Sequence, residues 1–232
     1  MFERPHHRRI ATILEALDAD GLAANACLFG GGTAISLRYG EYRESVDIDF
    51  LVSRLEGYRV LRQQLTAPDG LRAITRPGRV LTPLREIRAD QYGIRTLLEV
   101  EGVAIKFEIV LEGRIELETP GPEDRLCGVA TLTPLDMLTS KLLANSDRWR
   151  DDAVFSRDLI DLAMMAPPKK LMHKAITKAE AAYGASIEAD LLKAIEDLRS
   201  RPHRLDHCMQ AMGMNTISKA ALWARVKSLA RQ

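Results

Sequence analysis

The stretch LFGGGTAISLRYGEYRESVDIDFLVS, from Leu28 to Ser53, limits what this chain can become more than any other. Fifteen residues after Gly32, Asp47 and Asp49 flank a single isoleucine. The apolar run ahead of the glycines reads as a short strand. Thr33 to Tyr39 reads as a helix of one or two turns ended by Gly40, and VDIDFLV as a strand rich in Val, Ile and Phe. Side chains alternate along a strand, so Asp47 and Asp49 share one face while Val46, Ile48 and Phe50 turn toward a core. Two ionised carboxylates so close repel each other, and a divalent cation offsets that repulsion. Mg²⁺ (or Mn²⁺) suits the place, because a hard cation takes one or two carboxylates together with substrate phosphates. The glycines supply the complementary half. Gly31 and Gly32 can adopt positive φ and carry no Cβ to obstruct an anion, and the helix starting near Thr33 turns its positive end the same way. Thr33 can cap that helix or bond a phosphate oxygen. Each piece alone is an ordinary turn or a pair of surface acids. In this order and spacing they read as a triphosphate cradle beside a metal-binding pair, that is, a metal–NTP site.

The remaining pattern divides in two. Ile10, Ile13, Leu14 and Leu17 form a helical stripe that Gly21 is expected to stop, and YRVLRQQL reads as a helix. GIRTLLEV and VAIKFEIVL read as strands joined through Glu101-Gly102, a two-residue hairpin signal. In the second of these, Val103, Ile105, Phe107, Ile109 and Leu111 alternate with Ala104, Lys106, Glu108 and Val110, which places Glu108 on the non-core face. From Pro134 the pattern is helical: PLDMLTSKLLAN, FSRDLIDLAMM, and further stripes such as Ile187, Leu191, Leu192, Ile195 and Leu198. The expected fold is therefore α+β. A mixed, partly antiparallel sheet flanked by helices spans residues 1–130, and an α-helical domain spans 131–232 and completes a nucleotide cleft.

Composition excludes several classes. No apolar run approaches the ~18 residues of a membrane span. MFERPHHRRI lacks the apolar stretch of a secretory signal, and three scattered cysteines (Cys27, Cys127, Cys208) without a CxxC pair argue against a disulfide framework or zinc knuckle. A reducing cytoplasm is the expected location. Residues 1–140 carry 17 Lys and Arg against 21 Asp and Glu, and residues 141–232 carry 16 against 11. Such asymmetry suits a site that handles polyanions, and equally suits solvated helix faces.

Gly31, Gly32, Thr33, Arg43, Ser45, Asp47, Ile48, Asp49 and Phe50 together resemble the polymerase-β-type nucleotidyltransferases. More narrowly they resemble the AbiEii/AbiGii toxin family, the toxin half of type IV toxin–antitoxin and abortive-infection systems. Such proteins have a third carboxylate on a nearby strand, a place suited to Glu108, although Asp is usual there. A lysine follows in a helix after the sheet, matched by Lys141, and an RD-x-x-DL helix is matched by Arg157, Asp158, Asp161 and Leu162. The likeness runs from about Leu28 to Met165. It implies that Asp47, Asp49 and Glu108 hold metal, that Lys141 meets a β- or γ-phosphate, and that Asp158, or Asp161 beside it, orients Lys141 or the nucleotide. Gly31, Gly32, Thr33, Arg43 and Ser45 would line the nucleotide site, Arg43 through phosphate or a site acid and Ser45 by capping the turn ahead of the strand. The implied reaction moves NMP from an NTP to an acceptor, by resemblance RNA and in particular the 3′ end of tRNA, and implies a cognate antitoxin. Two other readings stand beside it. One is transfer to a small molecule, as in aminoglycoside adenylyltransferases; the other is NTP binding without turnover, with the helical part meeting a partner protein. Elsewhere, His203 and His207 at i, i+4 lack a third ligand, His6-His7 reads as a solvated terminus, and KKLMHKAITK (169–178) as a solvated basic face that could touch RNA.

Overall fold

A computed structural model describes residues 2–230. The chain divides into two compact units, one of residues 1–37 and 45–133, the other of residues 38–44 and 134–232.

The first unit begins with helices α1 (Pro5–Ala16) and α2 (Ala19–Ala24). Gly21 does not end the first helix. The break falls at Leu17-Asp18, where the Asp18 carboxylate accepts from the Gly21 N–H at 3.1 Å and caps α2, leaving Gly21 inside it. Strand β1 (Leu28–Gly30) runs directly into α3 (Gly31–Arg38), and β2 (Ile48–Val52) returns beside β1. Then come α4 (Leu55–Thr66), a 3₁₀ turn (Gly70–Ile74), short strands β3 (Thr82–Pro83) and β4 (Arg88–Ala89), and a long hairpin of β5 (Gly93–Val100) and β6 (Val103–Leu111). A small ribbon of β7 (Arg125–Leu126) and β8 (Val129–Ala130) closes the unit. Glu101 and Gly102 both take positive φ (53° and 75°), the geometry a two-residue hairpin loop requires.

The main sheet runs β1-β2-β6-β5-β3, with β4 also paired to β5. It is mixed: β2 pairs with β6 in parallel, and the other pairs are antiparallel. Its core face is built from the alternation read above. Phe29, Phe50 and Phe107 stack across three strands, with centroids 5.5 and 5.7 Å apart, over Ile48, Ile105 and Ile109. Each such aromatic pair is worth roughly 1 kcal/mol beyond its buried area. Val46, expected on this face, is 49% exposed. Strand pairing begins only at Ile48, opposite Phe107, so residues ahead of it are not held to the pleat.

The second unit is helical: α5 (Pro134–Arg148), α6 (Arg157–Met165), α7 (Lys169–Tyr183), α8 (Ser186–Ser200), α9 (Arg204–Ala211) and α10 (Lys219–Leu229). The stripe Ile187, Leu191, Ile195 and Leu198 is buried as read, whereas Leu192 lies 45% exposed. Residues 38–44 belong to this unit, and the Glu44 N–H donates to the Met212 carbonyl at 2.9 Å. The three cysteines are free. Among the described residues no helix is long and apolar enough to cross a membrane.

Candidate active site

In the first unit the glycine turn is as tight as its composition suggests. Gly31 sits at φ +67°, and a Cβ there would lie 2.5 Å from an Asp49 carboxylate oxygen. The left-handed backbone and the close approach both require glycine. Gly32 lies in ordinary helical backbone as the second residue of α3. Asp49 is therefore wedged against the N-terminus of α3, where backbone N–H groups and the helix dipole favour negative charge.

Asp47 stands just ahead of β2, and the backbone from Ser45 to Asp47 is held from two sides. The buried Thr33 hydroxyl donates to the Asp47 carbonyl at 2.5 Å and lies 2.8 Å from the Ser45 hydroxyl. Thr33 is thus turned onto the aspartate loop instead of its own helix end. The other clamp comes from α1. His7 is fully buried, and its Nε2 accepts the Ser45 N–H at 3.1 Å, which places the ring proton on Nδ1. His6 Nε2 lies 3.1 Å from the Val46 carbonyl. The histidine pair is not a solvated terminus; it braces the residues that lead into Asp47. No sequence signal announces a contact made across 38 residues.

Glu108 pairs in register with Asp49 across the parallel β2–β6 step, so the two carboxylates share a face. β6 is an interior strand, and Glu108 is only 9% exposed. One of its oxygens is bonded by Arg95, and the other by Lys106 at 2.5 Å. Burial pushes its carboxyl up, and the two cations more than offset this, holding it below the usual range. Lys106 is held above its usual range in spite of burial, chiefly by Glu108 and further by Asp49 and Asp47. Among the described residues no three His, Cys, Asp or Glu side chains stand together as a ready metal cage. The donor set still fits Mg²⁺, which commonly takes one or two carboxylates and completes its shell with water and substrate phosphate. Asp47 and Asp49 would supply those oxygens, and Glu108 would join only if Arg95 or Lys106 released it.

The second unit assembles a charge cluster around α5 and α6. Lys141, 5% exposed, donates to Asp158 at 2.9 Å and pairs with Asp161 at 2.7 Å. Arg43 grips Asp161 through Nε and Nη2 at 2.7 and 2.9 Å, and the Tyr42 hydroxyl donates to the same carboxylate at 2.6 Å. Arg148, two turns after Lys141, reaches Asp158 at 2.7 and 3.0 Å. Asp158 and Asp161 are buried, at 3% and 0% exposed, so they are not an acid pair on a solvated face. Burial alone would raise both carboxyls. Lys141 and Arg148 bring Asp158 well below the usual range, and Arg43 and Lys141 lower Asp161. Burial and Asp161 push the Tyr42 phenol well above its usual range. Tyr42 and Arg148 carried no motif. The only signal for Arg148 was its place seven residues after Lys141 on the same helix face.

Other candidates resolve simply. Lys178 of the basic 169–178 face turns to the buried Asp136 at 2.5 Å. His203, 90% exposed at its side chain, lies 3.7 Å from Asp206, while the His207 ring packs on Phe155.

A family model described as nucleotidyl transferase AbiEii toxin, type IV TA system, matches residues 12–223. The chain belongs to the AbiEii family. No curated protein matches this AbiEii chain. Among solved structures it resembles a Helicobacter pylori protein assigned as a nucleotidyltransferase, at 17% identity and TM-score 0.53, covering 97% of this chain and 93% of that one. It also resembles JHP933 from the same organism, at 15% identity and TM-score 0.55, covering 100% and 94%. These likenesses establish the shared fold, an α+β nucleotidyltransferase architecture, and extend through the C-terminal helices that the sequence motifs did not reach.

Proposed function

We propose that this AbiEii-family chain transfers NMP from an NTP to an RNA acceptor, a tRNA 3′ end by resemblance, with Mg²⁺, as the toxin of a pair whose antitoxin restrains it. The observation that carries the reading is the wedge of Asp49 against the left-handed Gly31 turn, with Asp47 fixed beside it by Thr33. A bound metal would supply charge neutralisation and activation of the attacking oxygen. The chain's own residues supply placement, which dominates nucleotidyl transfer. The α3 N-terminus presents N–H groups to the phosphates. Asp47 and Asp49 hold the charge that opposes them in the metal's absence. In the second unit, Arg43, Lys141 and Arg148 outnumber Asp158 and Asp161 by one positive charge, so the cluster retains attraction for an anionic group while keeping Lys141 fixed.

The test is incubation of purified protein with each α-labelled NTP, Mg²⁺ and total cellular RNA, followed by a denaturing gel. A labelled RNA band absent from Asp47→Asn/Asp49→Asn protein is expected. Label on a small molecule would move the acceptor to the aminoglycoside-like class. Tight NTP binding without transfer to any acceptor would support the binding-only reading, which the engagement of both Glu108 oxygens favours.

A further inference from the structure

Between Pro68 and Tyr92 the first unit carries five arginines, Arg72, Arg76, Arg79, Arg85 and Arg88, against Asp69, Glu86 and Asp90, and no lysine, and Asp90 is paired with Arg95 outside the segment. All five are exposed, and none forms an ion pair among the described residues. This contrasts with Arg9, Arg43, Arg95, Arg114, Arg148, Arg199 and Arg201, each neutralised by an acid. Arg72, Arg76, Arg79 and Arg85 line a groove of about 700 Å³. Two of them frame a tight turn: the Arg79 N–H donates to the Arg76 carbonyl at 3.1 Å around Pro77 and Gly78, with Gly78 at φ +78°. The same segment carries three exposed apolar side chains, Val80 at 85%, Leu84 at 48% and Tyr92 at 66%.

The basic segment leads somewhere. Strand register places Arg88 opposite Arg95, Arg95 opposite Glu108, and Glu108 opposite Asp49. Directly paired residues share a face, so one lateral row crosses the sheet from an outer arginine to the carboxylate pair. At ~4.8 Å per strand, Arg88 lies roughly 14 Å from Asp49, backbone to backbone.

We propose that the Pro68–Tyr92 segment is the entry track for a single-stranded polynucleotide. Its phosphates meet Arg72, Arg79, Arg85 and Arg88, a base stacks on Tyr92, and its end runs along the sheet face toward Asp49. Guanidinium forks match phosphate oxygens, and unpaired arginines give up no internal ion pair to bind. A duplex would have no use for the exposed apolar side chains, whereas the uncovered faces of single-stranded bases do. Naming the strand as the acceptor RNA rests on the transfer reading above; the track itself does not.

Binding of a fluorescein-labelled 12-nucleotide oligo(A) RNA to the full chain, without NTP, tests this by anisotropy across a salt series. Single strands lose about 0.7 in the slope of log K against log salt per contact, so Arg79→Glu/Arg85→Glu/Arg88→Glu should reduce the slope by about 2 with the melting temperature kept. Arg79→Lys/Arg85→Lys/Arg88→Lys should largely restore it, and Tyr92→Ala should weaken binding roughly fivefold or more. Asp47→Asn/Asp49→Asn protein should bind at least as tightly as the parent. Unchanged binding in the folded charge-reversal variant overturns the track. So does its loss in Lys169→Glu/Lys170→Glu/Lys174→Glu instead, or binding of poly-glutamate as tight as RNA, which would make the segment a seat for an acidic protein. If the parent labels no RNA with any NTP while the slope change holds, the transfer reading fails and the track stands.

Discussion

At the scale of single residues, backbone and charge place the sharpest demands. Gly31→Ala imposes roughly 1–2 kcal/mol of left-handed strain and drives a methyl into the Asp49 carboxylate. A lowered melting temperature and near-complete loss of label transfer are expected, and calorimetry with the gel assay would show whether both occur. Asp161→Asn leaves Arg43 and Lys141 buried beside a neutral amide, which should cost about 3–5 kcal/mol at neutral pH. The pH dependence follows from the same pairs. Asp158 and Asp161 are depressed in the folded protein, so their contribution is complete above the ordinary carboxylate range near pH 4 and is lost as pH falls through their lower folded values. Melting temperature plotted against pH should hold level from 7 to about 5 and drop below about 4, with a shallower drop in Asp161→Asn. A drop already under way at pH 6 would contradict this.

Elements show what a linear reading can and cannot reach. The glycine turn, the β5–β6 hairpin, the face of Glu108 and the helical character after Pro134 were legible, because each rests on local periodicity or on residues that only certain turns accept. The α1–α2 break was not: an aspartate side chain one turn ahead outweighed the glycine expected to stop the helix. Burial of His7 and Glu108 was also hidden, since it depends on which strand lies beside which. The same holds for Asp161, whose partners Tyr42 and Arg43 lie 119 and 118 residues away. At this scale α1 is expected to act as a brace. His7→Ala removes the acceptor of the Ser45 N–H and should cost roughly 1–3 kcal/mol. It should also lower kcat for transfer more than it weakens NTP binding, because Asp47 loses its fixed approach. Equal losses in both would assign His7 to stability alone.

For the whole molecule, the division into units does not follow the order of the chain. A fragment of residues 134–232 contains Asp158, Asp161, Lys141 and Arg148 but lacks Tyr42 and Arg43. With Asp161 deprived of two of its three partners, that fragment should melt at markedly lower temperature than the corresponding transition of the intact protein, or fail to fold cooperatively. Circular dichroism on heating would tell. Adding Tyr42 and Arg43 back through a permuted chain, in which residues 38–44 are joined ahead of 134, should recover much of the difference.

The detour of residues 38–44 into the helical unit also bears on how such genes can recombine. A single crossover near codon 133 would join one parent's Tyr42 and Arg43 to another parent's Asp161, splitting the buried pair between two ancestries. Exchange between distant relatives then succeeds only when a short internal cassette travels together with the distal half. Inheritance of the two segments of the helical unit is therefore linked although they lie far apart in the sequence, and substitutions at 42, 43 and 161 should track one another across lineages.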